Sequence, residues 1–412
     1  MKTDFDILIV GGGLVGASLA CALRESRLIV GMIEAATPPL SEQPSFDDRT
    51  LALAYGSRRI FDGLGVWSSI AQRGASPIKR IHISDRGRFG ATRLQARDAG
   101  IDALGYVVSA PVLGASLYQA IVGRSNLRII SPANVQSVEV GDEAARVRVD
   151  IGGAEQELRA RLVIAADGAN SPIREAAGIE ASRVDYGQTA IVSAVVTERA
   201  HEGTAYERFT ESGPLALLPA GSDYCAVVWS VAANKVDMVR AWDDETFRAE
   251  LQNAFGERLG RFLRVAKRQI HPLALTQVRE HARQRLVIVG NAAHTVHPVA
   301  GQGFNLGLRD IATLAEVLLE ADAAGRDIGG FDVLQRYINW RARDNKVVST
   351  LTHSLIRIFS NDYWPVACAR DAGLVAVDLL PPVKRELIRI TSGLAGRLPR
   401  LACGLPLRST TS

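Results

Sequence analysis

One short run constrains this chain more than any other: Gly11-Gly12-Gly13-Leu14-Val15-Gly16. The residues before it, 5–10, are nearly all apolar, as in a parallel strand buried on both faces. After it, Leu14 to Leu23 carries apolar residues at helical spacing, and Leu28 to Ile33 reads as a second apolar strand ending at Glu34. The whole is a β-α-β unit of about thirty residues. Within the G-x-G-x-x-G pattern, Gly11 makes the tight turn, Gly13 lets the backbone approach a pyrophosphate and Gly16 permits close helix–strand packing. The helix start offers free N–H groups and the positive end of its dipole to that anion. Glu34 stands where a carboxylate accepts hydrogen bonds from ribose hydroxyls. The pattern predicts a dinucleotide site; by itself it does not separate FAD from NAD.

A chain of 412 residues exceeds one ordinary core, so further structural units are expected. Hydrophobic residues at 47% and charged residues at 22% are near the globular average, which excludes a disordered chain. A net charge of +4 is too slight for the dense basic patch of a nucleic-acid binder. Cys21, Cys225, Cys368 and Cys403 are far apart with no C-x-x-C pair, so neither a zinc site nor a disulfide framework is expected. The sequence opens on no signal peptide and contains no run long enough to span a bilayer, consistent with a cytoplasmic protein.

Residues 36–48, rich in Pro, Ser and Asp, read as a loop, and Arg49 to Leu64 reads as a helix. Strands are expected at 78–84, 127–130, 134–140 and 145–151. Another, Leu162 to Ala166, stops at Asp167-Gly168. Residues 186–231 carry several β-rich runs, and 243–264 are helical in pattern. A last buried strand, Leu286 to Val289, runs into Gly290. A helix is expected near 303–319, and the rest is mainly helical. The fold class is α/β. A nucleotide-binding domain made of 1–75, 101–180 and 276–330 is interrupted by a β-rich substrate domain, 76–100 and 181–275, and followed by a helical region, 331–412. Three strands that end in glycine turns meet at one edge of a parallel sheet, where ligands usually bind.

Two further motifs close strands: Asp167-Gly168-Ala169-Asn170-Ser171 with Arg174, and Gly290-Asn291-Ala292-Ala293-His294 leading to His297-Pro298-Val299-Ala300-Gly301-Gln302-Gly303-Phe304-Asn305. With the N-terminal glycines, these resemble the three sites that mark the class A FAD-dependent monooxygenases. Phe46-Asp47-Asp48-Arg49, Ser84-Asp85-Arg86-Gly87, Glu207-Arg208-Phe209-Thr210, Gly213 to Pro219 and His271 to Leu275 resemble the ubiquinone-biosynthesis hydroxylases, most closely the 2-polyprenyl-6-methoxyphenol branch. The resemblance runs from residue 5 to about 405. It implies a Rossmann-like FAD-binding domain of the glutathione-reductase type with an interleaved β-sheet substrate domain. Two departures stand out. Asn291 replaces an Asp found in many members, though an amide still bonds a ribityl hydroxyl. Ala115 and Ser116 replace an Arg or Gln, which leaves that helix without the usual side chain toward FAD.

The resemblance implies that NADPH or NADH reduces the FAD, that O2 then forms a flavin C4a-hydroperoxide, and that oxygen passes to the ring of a polyprenylated phenol. It assigns Gly11, Gly13, Gly16 and Glu34 to the pyrophosphate and ribose, and Asp167 and Gly168 to FAD. Gly290, Asn291, Pro298, Gly301, Gly303, Phe304 and Asn305 go to the ribityl chain and ring. Backbone N–H groups at Gly303, Phe304 and Asn305 would face the N1–C2=O edge. Arg49, His297 and Pro298 are the catalytic candidates. Arg49 supports the flavin or, on the plainer reading, pairs with Asp47 or Asp48. His294 and His297 have the right chemistry to deprotonate a phenol, but the favoured reading is that they hold backbone or water. Leu215, Leu217, Val227 and Trp229 suit a substrate pocket or, equally, a core. No metal site is expected. The basic stretch 383–408 suits either an anionic membrane surface or a packed helical tail. The resemblance also implies other ubiquinone-pathway proteins as partners and a location at the inner face of the membrane. The competing readings are a hydroxylase for another ring position or a soluble phenol, another flavin oxidoreductase, and a non-catalytic FAD-binding scaffold; the W-x-W-x-I-P motif of flavin halogenases is absent.

Overall fold

The computed structural model describes residues 3–37, 45–297, 301–359 and 363–407. The strand Phe5–Val10 forms, with every residue from Ile7 to Ile9 fully buried, and leads through the glycine turn into the helix Leu14–Leu23 and the strand Val30–Ile33. Phe5–Val10 pairs in parallel with Val30–Ile33 on one side and with Ala154–Ala165 on the other; Ala154–Ala165 in turn pairs in parallel with Leu286–Ile288. The three strands that run into Gly11, Asp167-Gly168 and Gly290 are therefore neighbours pointing the same way, and their turns share one edge.

A second sheet runs through His294–Thr295, Gln269–Val278, Ala181–Thr197, Tyr224–Ala232, Gly213–Ala220, Thr204–Thr210, Arg80–Asp85 and Ala91–Gln95. One of its faces packs on the helix Asp244–Phe255: Leu215, Leu217, Val227 and Trp229 are buried there with Phe247, Leu251 and Phe255. Strand alternation fixes the consequence: Ala216, Leu218 and Val228 look the other way, into a cavity.

Two expected elements differ. Arg49 to Leu64 is not one helix but the strand Thr50–Ala54 followed by the helix Tyr55–Gly63. The Leu/Ala content favours a helix, but Thr50–Ala54 is captured by antiparallel pairing with Gly105–Ser109. Gly105 makes that approach possible, since a Cβ there would lie 2.3 Å from the Leu53 carbonyl oxygen. Likewise 243–264 breaks at Gly256, which has φ +89°, and its last part forms the strand Phe262–Val265 on the edge of the second sheet.

The helix Gln302–Ala323 runs through the first core, with Leu306, Leu308, Ile311, Leu314 and Leu318 fully buried. The helices Phe331–Phe359, Trp364–Leu379 and Pro381–Thr391 make the C-terminal region helical. Among the described residues no helix is long and apolar enough to cross a membrane.

Candidate active site

The three glycine turns and the inner face of the second sheet enclose one cavity of about 1530 Å³. Single small-molecule pockets usually run to roughly 300–1,000 Å³, so this one has room for a large cofactor and a further ligand. Gly13, Gly168, Gly290, Asn291, Gly301, Gly303, Phe304, Asn305 and Arg49 all line it.

The glycines differ in what they do. Gly11 has φ +101°, and a Cβ on it would meet the Ala166 carbonyl oxygen at 2.4 Å; one on Gly16 would meet the Gly11 carbonyl oxygen at 1.9 Å. These two allow the turn and the helix to pack. A Cβ on Gly13 would meet nothing within 4 Å, because that position faces open space. Gly13 caps Leu14–Leu23 without any side-chain hydrogen bond to the free N–H groups, and Gly301, at φ +60°, does the same for Gln302–Ala323. Two uncapped helix N-termini thus open on one cavity, each suited to negative charge.

Around these turns the side chains are braced. Glu34 accepts hydrogen bonds from the Gly12 N–H at 2.6 Å and the Ala36 N–H at 3.0 Å, beyond the cavity's own lining. Arg174 joins two turns by donating to the carbonyls of Ala169 and Ala292, both at 3.1 Å. Asp167 stands behind its turn rather than on the cavity. One carboxylate oxygen accepts from the Ile173 N–H at 3.3 Å, the other is buried without a partner, and burial pushes its pKa up. The Asn305 side chain is used entirely within the protein. It accepts from the Ala54 N–H (2.8 Å) and the Ser57 hydroxyl (2.7 Å), and donates to the carbonyls of Ala52 (2.9 Å) and Gly301 (2.6 Å). Its side chain therefore locks the helix start onto Thr50–Ala54 and presents backbone, not amide, to the cavity.

These features match a family and a set of relatives. A family described as an FAD binding domain matches residues 4–342. The chain belongs to that family. It is 38% identical over 406 residues to the ubiquinone hydroxylase UbiL of Rhodospirillum rubrum, covering 98% of this chain and 93% of that one. It is 31% identical to the 3-demethoxyubiquinol 3-hydroxylase of Escherichia coli, covering 94% and 98%. Its fold resembles the crystal structure of p-nitrophenol 4-monooxygenase from Pseudomonas putida, with a TM-score of 0.78, 18% identity and coverage of 96% and 100%. The protein is an FAD-dependent aromatic monooxygenase of the ubiquinone-biosynthesis hydroxylase group.

The catalytic candidates of this monooxygenase separate. Arg49 is exposed at the cavity, near enough to His271 to lower its pKa, although burial is the larger cause. Asp47 and Asp48 are engaged elsewhere, Asp47 by the Lys267 N–H and Asp48 by Ser45 and Ser109. His297 is buried away from the cavity. Its Nε2 lies 3.1 Å from Gln188 Oε1, Tyr186 packs edge-on at 5.4 Å, and burial lowers its pKa to about 4. His294 is also off the cavity, 3.6 Å from Asp310, with its pKa lowered to about 4 by burial. Pro298 lies outside the described residues.

Sequence reading did not find that the C-terminal helices close over the cavity. Arg370, Leu374 and Leu387 line it, and Gln302 donates to the Thr391 carbonyl at 3.2 Å. Nor did it find that Tyr118 donates to the Gly12 carbonyl at 2.8 Å, bracing the first turn from a helix where Ala115 is buried and Ser116 accepts from Arg73 at 3.0 Å. No local pattern marks such contacts; they depend on distant segments meeting.

Proposed function

We propose that this protein hydroxylates the ring of a 2-polyprenyl-6-methoxyphenol in ubiquinone biosynthesis, consuming O2 and NADPH or NADH. The observation that carries the reading is the continuity of one cavity. It begins at two uncapped helix N-termini and ends on an apolar wall that includes Ile81, Ile83, Leu94, Leu218 and Val228. The first end suits the FAD pyrophosphate and the electron-rich edge of the flavin; the second suits a ring with a prenyl tail. In this assignment Gly13 faces the pyrophosphate, and Gly11 and Gly16 shape the turn. Glu34 serves the ribose side, and Gly168 faces the cofactor while Asp167 serves it from behind by holding that turn. Gly290, Asn291, Gly301, Gly303, Phe304 and Asn305 surround the ribityl chain and ring, and Arg49 stands at the flavin's edge. The bound FAD supplies electron transfer and oxygen activation. The chain's own residues bind it, orient the phenol and exclude water. Segments 1–75, 101–180 and 276–330 hold the cofactor, and 76–100 with 181–275 hold the substrate.

A second reading, hydroxylation at a later ring position, draws on the Escherichia coli relative, whose name specifies a demethoxyubiquinol. Deletion of the gene in its native host, with mass spectrometry of the accumulated quinone precursors, separates the two. Build-up of 2-polyprenyl-6-methoxyphenol with loss of ubiquinone is expected. A different prenylated phenol would move the ring position, and normal ubiquinone in a host without a redundant hydroxylase would overturn the substrate.

We also propose that the enzyme meets this insoluble substrate at a membrane, alongside other proteins of the pathway. Leu379 is 72% exposed, with Leu380 and Val383 exposed after it at the start of the basic stretch, and Trp364, also 72% exposed, stands at the other end of the helix Trp364–Leu379. The later part of that stretch is packed: Leu401 and Ala402 are buried, and the Arg400 N–H donates to Glu316. Cosedimentation with anionic vesicles should occur and weaken in Trp364→Ala; equal binding by the variant counts against this surface.

A further inference from the structure

Five paired strands of the second sheet place one row of side chains on the cavity: Ile83, Glu207, Ala216, Val228 and Val192, each opposite the next in register. Four are apolar or small and one is a carboxylate. Apolar sheet faces exclude charge unless it has a use, because a buried carboxylate without a partner is costly. Among the described residues no side chain or backbone group pairs with the Glu207 carboxylate. It is half-buried on the cavity wall, and burial alone raises its pKa to about 7. Alternation turns Tyr206 and Arg208 to the opposite face, where Tyr206 packs on Phe255 at 5.3 Å and Arg208 is set among Arg86 and Arg258. The flanking strands present Ile83 and Ala216 in register. The other charged groups on the cavity are Arg370, which is held by Asp85, and Arg49, Arg174, Glu175 and Arg183, with the His271 imidazole beside them.

We propose that Glu207 is a catalytic residue that takes the proton of the substrate's phenolic hydroxyl. The phenol O–H bond breaks, the carboxylic O–H bond forms, and the electron pair stays on the phenolate oxygen, which enriches the ring carbons that receive oxygen. The acid gives up the proton when the product leaves. A base that titrates near the working pH is best suited to such a transfer. This inference rests on the reading of the cavity as a phenol site. It adds a residue that neither the glycine turns nor the two histidines supply.

The test uses the FAD-loaded protein with 2-geranyl-6-methoxyphenol and its O-methyl ether, which lacks the transferable proton. Binding of each is measured from pH 6 to 8 in the wild type and in Glu207→Gln, with flavin content as the check on folding. The wild type should favour the phenol over the ether by a ratio that rises about tenfold across this range, as the carboxylate ionises. Glu207→Gln should show a flat ratio, normal flavin content and hydroxylation slower by at least about 100-fold. An unchanged ratio and pH profile in the variant would overturn the proposal. Should the variant not fold, a flat ratio in the wild type overturns it equally. Wild type that binds both probes but hydroxylates no prenylated phenol would sink the proposed function, while the binding ratio still decides whether Glu207 reads the hydroxyl.

Discussion

Gly13→Glu separates the fold of the first turn from its ligand. A Cβ at Gly13 meets nothing within 4 Å, and the residue is exposed with φ −61°, so a longer side chain extends into the cavity without strain. The apoprotein should keep its stability to within about 0.5 kcal/mol, as surface substitutions usually do. The cofactor should not tolerate the change. A carboxylate about 4 Å from one phosphate charge, at an effective dielectric near 20, repels it by about 4 kcal/mol. That corresponds to FAD affinity weaker by roughly 1,000-fold. The assay is flavin absorbance per protein after gel filtration, paired with a thermal melt of the apoprotein. Gly11→Ala and Gly16→Ala make the contrast. Their new methyl groups would sit 2.4 Å and 1.9 Å from carbonyl oxygens, so these variants should lose stability itself. Full flavin content in Gly13→Glu would refute the placement of the pyrophosphate. A collapsed apoprotein would refute the claim that the position is open.

Two other perturbations probe the surrounding structure. Asn305→Ala removes the acceptor of the Ala54 N–H and the Ser57 hydroxyl in a buried place and should cost about 2–4 kcal/mol in urea unfolding; a loss under about 0.5 kcal/mol would show that the bonds are dispensable. Burial lowers the pKa of His294 to about 4, Asp310 opposing the shift and His281, Arg341 and Arg309 adding to it, so between pH 6.5 and 4 the unfolded chain binds a proton that the fold refuses. Stability should therefore fall as pH drops through this window, by about 2 kcal/mol at pH 5 from this residue. His294→Leu should show a smaller drop between pH 7.5 and 5, and an equal drop in both proteins would contradict the assignment.

What the sequence determined by itself is what short-range sterics and periodicity govern. Gly16 admits no side chain because the Gly11 carbonyl of the same turn lies against it, and Gly11 itself sits at φ +101°, so the β-α-β unit is legible within thirty-odd residues, although the Ala166 carbonyl that also crowds Gly11 comes from a distant strand. Strands 127–130, 134–140 and 145–151 fall at their expected positions because each carries its own pattern. The departures and the finer parts of the site have another origin. Thr50–Ala54 is a strand because Gly105–Ser109 pairs with it. Leu215, Leu217, Val227 and Trp229 are core, while Glu207, Ala216 and Val228 face the cavity, because a helix covers one side of the sheet. Either face satisfies the same alternating pattern, and only the packing of distant segments selects between them.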